Sequence, residues 1–106
     1  MYNLIVLASR PPEWTHERFI AWWRGKHADA TVALPGLRRW RHPEIEDAFD
    51  ARSADWDGMS VLGFDTREDL DAALKSPEWD AAVAQVGDMR GRRIAVMGTE
   101  KDMFDA

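Results

Sequence analysis

Three short segments of the sequence are apolar through their middle on both faces, and this pattern limits the folds open to the chain. They are "YNLIVLASR" at 2–10, "GMSVLGFD" at 58–65 and "RRIAVMGT" at 92–99. A strand that alternates apolar and polar residues buries one face, whereas a strand without alternation is covered on both faces. A fourth segment, "LRRWRH" at 37–42, alternates and carries three arginines, which is typical of an edge strand. We therefore predict a sheet of four strands.

Helical segments separate these strands in a regular order. Thr15 is a suitable N-cap for a helix that continues to about Leu34, where a proline and a glycine stop it. Asp65 or Thr66 can cap a second helix, which the serine and proline at 76–77 divide into two pieces. The order strand, helix, strand, strand, helix, strand predicts an α+β fold of the ferredoxin-like βαββαβ type. In that fold a four-stranded antiparallel sheet carries both helical segments on one face.

The other face of this sheet needs a cover, because strands that are apolar on both sides would leave a large apolar surface in water. A second subunit supplies the cover most simply, through sheet-on-sheet pairing about a two-fold axis. The 106 residues, 45% of them apolar, are enough for one domain over 1–106 and too few for two. We therefore expect a homodimer of single-domain subunits.

Charge and cysteine content argue against several classes of partner. Fourteen Lys and Arg against nineteen Asp and Glu give a net charge of −5, which opposes binding to nucleic acid or to an anionic membrane surface. The absence of cysteine removes disulfides, thiol nucleophiles and thiolate metal sites, and it fits a reducing cytoplasm. The apolar run at 4–8 is far shorter than the roughly 20 residues that span a bilayer. We expect a cytoplasmic protein without a membrane segment.

His27 is the leading candidate for chemistry. At about 100° per residue it lies within the apolar stripe of the first helix, one turn after Trp23. Burial disfavours the charged imidazole, so the ring stays neutral and can accept a proton as a general base. The alternative is a structural histidine that donates to a buried carbonyl or to an acidic side chain and stabilises the fold. The aromatic neighbours favour a pocket for a hydrophobic small molecule, with Trp23 as a wall and Phe19 on the same stripe.

Other residues are weaker candidates for binding a substrate. Trp40 and His42 share one face of the second strand, although a histidine on an edge strand is often simply solvated. Arg24 or Arg39 could steady an anionic oxygen, the alternative for each being a solvated surface charge. His16 lies in the first helical turn, where the helix dipole disfavours a cation, so we expect it to be exposed and assign it no function.

The sequence contains none of the familiar metal or cofactor patterns. The acidic segment 43–57 matches no EF-hand loop and is interpreted as a long solvated loop or an irregular hairpin extension. Neither H-x-x-x-H nor H-E-x-x-H occurs, and G-x-G-x-x-G, the P-loop and G-x-S-x-G are also missing. We expect no bound metal and no cofactor.

Several of these segments together resemble the EthD-like family of the dimeric α+β barrel superfamily. The resemblance lies in "LIVLASR", the helical pattern F-x-x-W-W-R-x-x-H that ends at His27, then "LPGLRRW", "VLGFD" and "LDAALKSPEW". It implies a ferredoxin-like subunit, a homodimer with a shared barrel, and a pocket between helices and sheet whose family histidine matches His27. Family members are associated with degradation of ethers and aromatic compounds, and relatives in polyketide pathways resemble cofactor-free dehydratases. The chain departs from the family's H-x-P, because Asp29 stands where proline is expected.

These observations favour a cofactor-free enzyme of the lyase type, a dehydratase or decarboxylase, or else an isomerase. It would act on a hydrophobic aromatic or polyketide-like molecule, with His27 as general acid and base. One alternative is a non-catalytic protein that binds a small molecule for an oxygenase pathway. A third possibility, suggested only by the superfamily, is a cofactor-free monooxygenase.

Overall fold

The computed structural model describes residues 1–86 and 91–105, and within them the predicted α+β fold is confirmed. Its strands are β1 (Tyr2–Ala8), β2 (Arg39–Arg41), β3 (Gly58–Phe64) and β4 (Arg93–Thr99). Its α-helices are α1 (His16–Arg24), α2 (Lys26–Val32), α3 (Arg67–Leu74) and α4 (Pro77–Val86). The strands form one antiparallel sheet in the order β2-β3-β1-β4, which is the ferredoxin-like arrangement.

The register of β1 determines which side chains meet beneath the helices. Leu4 lies opposite Leu62 of β3 and Met97 of β4, and Val6 lies opposite Ser60 and Ala95. Side chains alternate between the two faces of a strand, so every second residue of β1 points towards the helices. The main cluster of buried residues there is Leu4, Leu34, Leu62, Phe64, Leu70 and Ala73. A smaller cluster of Ala8, Phe19 and Trp23 holds α1 against the end of β1.

The prediction of one continuous helix from Thr15 to about Leu34 is wrong at Gly25. This residue ends α1 and precedes α2, with φ −101° and ψ −105°, and its N–H donates to the carbonyl oxygen of Trp22. A Cβ at this position would lie 2.6 Å from the carbonyl oxygen of Ala21, which is too close without a backbone shift. Glycine therefore permits a break that an apolar pattern running through both helices does not reveal.

The predicted helix starts are confirmed by their caps. The side chain of Thr15 accepts a hydrogen bond from the N–H of Arg18, and that of Thr66 accepts one from Asp69. The hydroxyl of Ser76 accepts from the N–H of Trp79, so the serine and proline pair does begin α4. Helix α4 packs mainly against α2 rather than against the sheet. This arrangement leaves space between α4 and the strands.

The sheet face opposite the helices is apolar along its centre. Ile5 pairs with Val61 and Val96, and Leu7 pairs with Ile94, so these side chains share that face. Val96 and Ile94 are 60% and 52% exposed. In the part of the chain that is described, no helix is long and apolar enough to cross a membrane.

Candidate functional site

A cavity of about 390 Å³ lies between the sheet and the helices α2 and α4. Its floor is formed by residues of three strands: Leu4, Val6, Ser60, Leu62 and Arg93. Its roof is formed by residues of α4: Trp79, Ala82, Val83 and Val86. Trp23, His27 and Thr31 complete the lining from α1 and α2. Most of these side chains are apolar, as in sites that bind small organic molecules.

His27 and Trp23 both line this cavity, and the break at Gly25 sets how their rings meet. The rings of Trp23 and His27 are edge to face, with centroids 6.3 Å apart. The imidazole also stacks on the indole of Trp22, with centroids 4.8 Å apart and an angle of 14° between the planes. Residues five apart on a continuous helix would point in different directions, so this stack depends on the break.

The environment of His27 keeps its imidazole neutral at pH 7. Burial is the main cause and the positive charge of Arg93 adds to it, and together they lower the pKa of His27 from 6.5 to about 4. Its Nδ1 is buried and has no hydrogen-bond partner among the described residues. The backbone next to the ring is held in place, because the hydroxyl of Thr31 donates to the carbonyl oxygen of His27 at 3.0 Å.

Arg93 is the charged residue among the described lining residues, and it was not among the candidates expected from the sequence. Burial lowers the pKa of its guanidinium below the usual value for arginine. The signal that could have identified it is its position: Arg93 begins an apolar strand on the same face as Ala95 and Met97, which the register places towards the helices. A charged residue at an inward position of such a strand is a candidate for a site.

Trp40 and His42 lie beside the cavity rather than on its wall. Trp40 donates from Nε1 to the hydroxyl oxygen of Ser60 at 2.7 Å, and Ser60 does line the cavity. His42 contacts the ring of Trp23 edge to face, with centroids 4.9 Å apart. Burial and the charge of Arg24 are the largest causes that lower the pKa of His42 to about 4. His42 thus contacts Trp23, and Trp40 contacts Ser60, on the side of each residue that faces away from the cavity.

Phe19 and the two arginines named from the sequence lie elsewhere. Phe19 is fully buried and packs edge to face on Trp23, with centroids 4.8 Å apart. Arg39 forms an ion pair with Glu100 at 3.2 Å, away from the cavity. Arg24 donates to the carbonyl oxygen of His42 at 2.9 Å and pairs with Glu44. The described residues that line the cavity include neither arginine.

His16 lies in a polar cluster that was not expected from the sequence. Its Nδ1 lies 2.7 Å from a carboxylate oxygen of Asp57, and its Nε2 lies 2.9 Å from one of Glu44. Both contacts raise the pKa of His16, Asp57 more than Glu44. Asp57 is 1% exposed, and it also accepts hydrogen bonds from the backbone N–H and the guanidinium of Arg10. The expectation of an exposed His16 is therefore wrong, and Asp57 at the end of segment 43–57 is buried rather than solvated. The antiparallel bridge between Glu44 and Gly58 fits the alternative of an irregular hairpin extension.

The acidic partners of His16 are 28 and 41 residues away, so no local pattern could have paired them. Burial by itself would raise the pKa of Asp57, but hydrogen bonds from Arg10 and His16 outweigh it and lower that pKa. Across residues 1–86 and 91–105, no group of three or more His, Cys, Asp or Glu is arranged to hold a metal ion.

These features define a ferredoxin-like domain with a cavity of small-molecule size between its helices and its sheet. The model of the EthD domain matches residues 11–89, and the chain belongs to the EthD family. No match to a curated protein reached significance.

Solved structures with the same fold are similar to this chain at low sequence identity. An EthD-family protein from Bacillus halodurans has a TM-score of 0.74 at 21% identity, over 95% of this chain and 100% of that one. A protein of unknown function from Thermobifida fusca, described as dimeric and ferredoxin-like, has a TM-score of 0.66 at 20% identity, over 93% and 90%. SnoaB from Streptomyces nogalater, described as a cofactor-independent oxygenase, has a TM-score of 0.71 at 10% identity, over 99% and 97%.

Proposed function

We propose that this EthD-family protein is a cofactor-free enzyme of the lyase type, a dehydratase or decarboxylase, or else an isomerase. Its substrate is a hydrophobic aromatic or polyketide-like molecule. The observation that carries the proposal is the neutral imidazole of His27 in the wall of a mainly apolar cavity of about 390 Å³. Trp23 and Trp79 supply aromatic walls against which a flat ring can pack.

The proton chemistry assigned to His27 is the following. In a dehydration the ring removes a proton from carbon and returns it to the departing hydroxyl, so that water leaves and the imidazole is neutral again. Because Nδ1 is buried, Nε2 is assigned the proton exchange with the substrate, while Nδ1 keeps the hydrogen of the neutral ring. Positioned acid–base groups of this kind accelerate reactions by about 10²–10⁴-fold.

Three further residues selected from the sequence act in this proposal by positioning side chains of the cavity wall. Phe19 and His42 hold the ring of Trp23, and Trp40 orients the hydroxyl of Ser60. Replacing these residues is expected to weaken binding by loosening the cavity wall, without removing the proton transfer itself.

The experiment is an activity screen with wild type and His27→Phe. Aromatic and polyketide-type hydroxy-carbonyl compounds and aromatic acids are incubated with each protein, and products are identified by mass spectrometry. Loss of water, loss of carbon dioxide, or an isomer that has exchanged a carbon-bound proton for deuterium in D₂O supports the proposal if only the wild type forms it. Equal turnover by His27→Phe overturns the mechanism. Ligands that bind without any change support the alternative of a non-catalytic binding protein.

A cofactor-free monooxygenase is the second candidate, because the fold of this chain is similar to that of SnoaB. This reaction gives a product that has gained oxygen and requires molecular oxygen, so it stops in an anaerobic assay. A lyase or isomerase continues under the same conditions. The anaerobic comparison therefore separates the two activities on any substrate found in the screen.

We also propose that the apolar sheet face pairs with a second copy of this chain. The apolar side chains on this face are contiguous rather than scattered, and they belong to Ile5, Leu7, Val61, Ile94 and Val96. The protein from Thermobifida fusca that has a similar fold is described as dimeric. Pairing two such faces buries both stripes in one symmetric contact.

The test is the mass in solution of three proteins. Wild type is expected at twice the chain mass by light scattering, and Val96→Glu at the mass of one chain or in a concentration-dependent mixture. Val32→Glu is the matched control, because Val32 is similarly exposed but lies on α2. A monomeric wild type, or a Val96→Glu variant that stays dimeric, contradicts the proposal.

A further inference from the structure

We propose that the cavity selects apolar molecules that carry an anionic oxygen, a carboxylate, phenolate or enolate, and that Arg93 is the residue that determines this specificity. The inference rests on the proposed function, since it names the substrate class of the same cavity. It concerns a residue on β4, outside the helical pattern that carries His27.

Arg93 lies in the cavity lining, on the face of the sheet that carries the helices. It pairs with Ala8 at the end of β1, on the face that carries Leu4 and Val6, and its side chain forms part of the cavity lining. The lining around it is apolar apart from His27 and the hydroxyls of Thr31 and Ser60. A guanidinium in such surroundings interacts more strongly with an anion than it would at the surface, because water screens it less.

Three other arginines lie away from the cavity. Arg10 contacts Asp57, Arg24 contacts Glu44, and Arg39 contacts Glu100, and the described cavity lining includes none of these three arginines. Arg92, next in sequence, lies over the ring of Trp56 at 4.0 Å. The sequence offered Arg24 or Arg39 for an anionic oxygen, whereas the geometry points to Arg93.

Binding of an anion beside Arg93 would also affect the proposed proton transfer at His27. A ring whose pKa is about 4 is a weak base at neutral pH, and general bases work best when their pKa is near the working pH. A negative oxygen bound beside Arg93 and His27 favours the protonated imidazole and raises that pKa towards its ordinary value. An anionic ligand thus makes His27 a better base, and a neutral ligand of the same shape does not.

The hydroxyl of Ser60 fits the same arrangement. Its oxygen accepts from Trp40 Nε1 at 2.7 Å, so its own hydrogen can be donated to a ligand oxygen. Ser60 pairs with Val6 and Arg93 pairs with Ala8, so the two groups approach the cavity from opposite sides of β1. A ligand that contacts both groups therefore needs one oxygen on the β4 side of β1 and a second oxygen on the β3 side.

The experiment compares matched acids and amides by calorimetry at pH 7. The probes are 1-naphthoate against 1-naphthamide and 9-anthroate against 9-anthramide, each measured with wild type, Arg93→Gln and the control Arg92→Gln. We expect wild type and Arg92→Gln to bind the acid at least about tenfold more tightly than the amide, as a charge-assisted contact implies. Arg93→Gln should bind both members of each pair with similar affinity, close to that of the wild type for the amide.

The outcomes separate this inference from the proposed function. Equal binding of acid and amide by wild type, or an unchanged preference in Arg93→Gln, overturns the role of Arg93 while the cavity keeps its function. Failure of the wild type to bind any of the four probes overturns both. Circular dichroism checks the fold of Arg93→Gln, and Arg93→Lys, which keeps the charge, should retain part of the preference. A further readout is the imidazole resonance of His27, whose pKa should rise with bound naphthoate and stay low with naphthamide.

Discussion

The neutral state of His27 predicts how the stability of the protein depends on pH. The folded chain holds the pKa of His27 at about 4, against 6.5 for an ordinary histidine. A group whose pKa is lowered by folding binds its proton less readily in the folded state than in the unfolded state. The free energy of unfolding therefore decreases as the pH falls below 6.5. At about 1.4 kcal/mol per pKa unit, linkage gives a loss of roughly 2–3 kcal/mol between pH 7 and pH 4.5. Water that reaches the cavity reduces this to about 2 kcal/mol.

The measurement is urea unfolding of wild type and His27→Phe at pH 7 and pH 4.5. Phenylalanine preserves the stack on Trp22 and removes the titrating group, whereas His16, His42 and the carboxylates titrate in both proteins. The free energy of unfolding of the wild type should therefore fall by about 2 kcal/mol more than that of His27→Phe.

Nuclear magnetic resonance gives a direct check, because the chain has only three histidines. The ring signals of His27 and His42 should titrate well below pH 6.5, and those of His16 above it. A His27 signal that titrates near 6.5, or an equal acid sensitivity of His27→Phe and wild type, would refute the reasoning about its burial.

Three further predictions concern residues outside the proton chemistry. His16 has a raised pKa, so its ion pairs contribute fully to stability below pH 6.5, and this contribution is lost as the pH rises through the pKa of the folded state. His16→Gln should therefore be less stable than wild type by about 1 kcal/mol at pH 6 and by less at pH 9, as measured by urea unfolding. Gly25→Ala should lose about 1–3 kcal/mol in thermal unfolding, since the added Cβ meets the carbonyl oxygen of Ala21 at 2.6 Å, and an unchanged melting temperature would contradict the need for glycine. Trp40→Phe removes the hydrogen bond to Ser60 and should lower the free energy of unfolding by about 1 kcal/mol. The double variant Trp40→Phe/Ser60→Ala should lose less stability than the sum of the losses in the two single variants.

The fold was predictable because its signals are local. Strands without alternation, the N-caps at Thr15, Thr66 and Ser76, and the arginines of the edge strand each depend on a few neighbouring residues. The break at Gly25 was not predictable in this way. Apolar residues continue with helical spacing on both sides of it, and one glycine inside such a pattern is often tolerated.

The site was predictable only along one helix face. Spacing placed Trp23 and His27 one turn apart, and the structure brings both to the cavity. The contribution of Arg93 depends on the pairing of β4 with β1, and the contacts of His16 depend on a segment far along the chain. Such contacts follow from tertiary structure, and a single sequence carries no direct signal of them. The stack of Trp22 on His27 was not predicted either, because it requires the helix break at Gly25, which the continuous apolar pattern does not reveal.

Because α4 packs on α2 rather than on the sheet, residues of α4 can set the volume of the cavity without being part of the core that stabilises the fold. Val83 and Val86 line the cavity, but they belong to neither cluster of buried core residues, and Val83 is 52% exposed. Larger or smaller side chains at these positions change the space available to a ligand while the sheet and its core stay intact. A chain of this architecture can therefore acquire a new ligand size through a few substitutions on one helix. The strands beneath, including the position of Arg93, would continue to set which chemical group the ligand must carry.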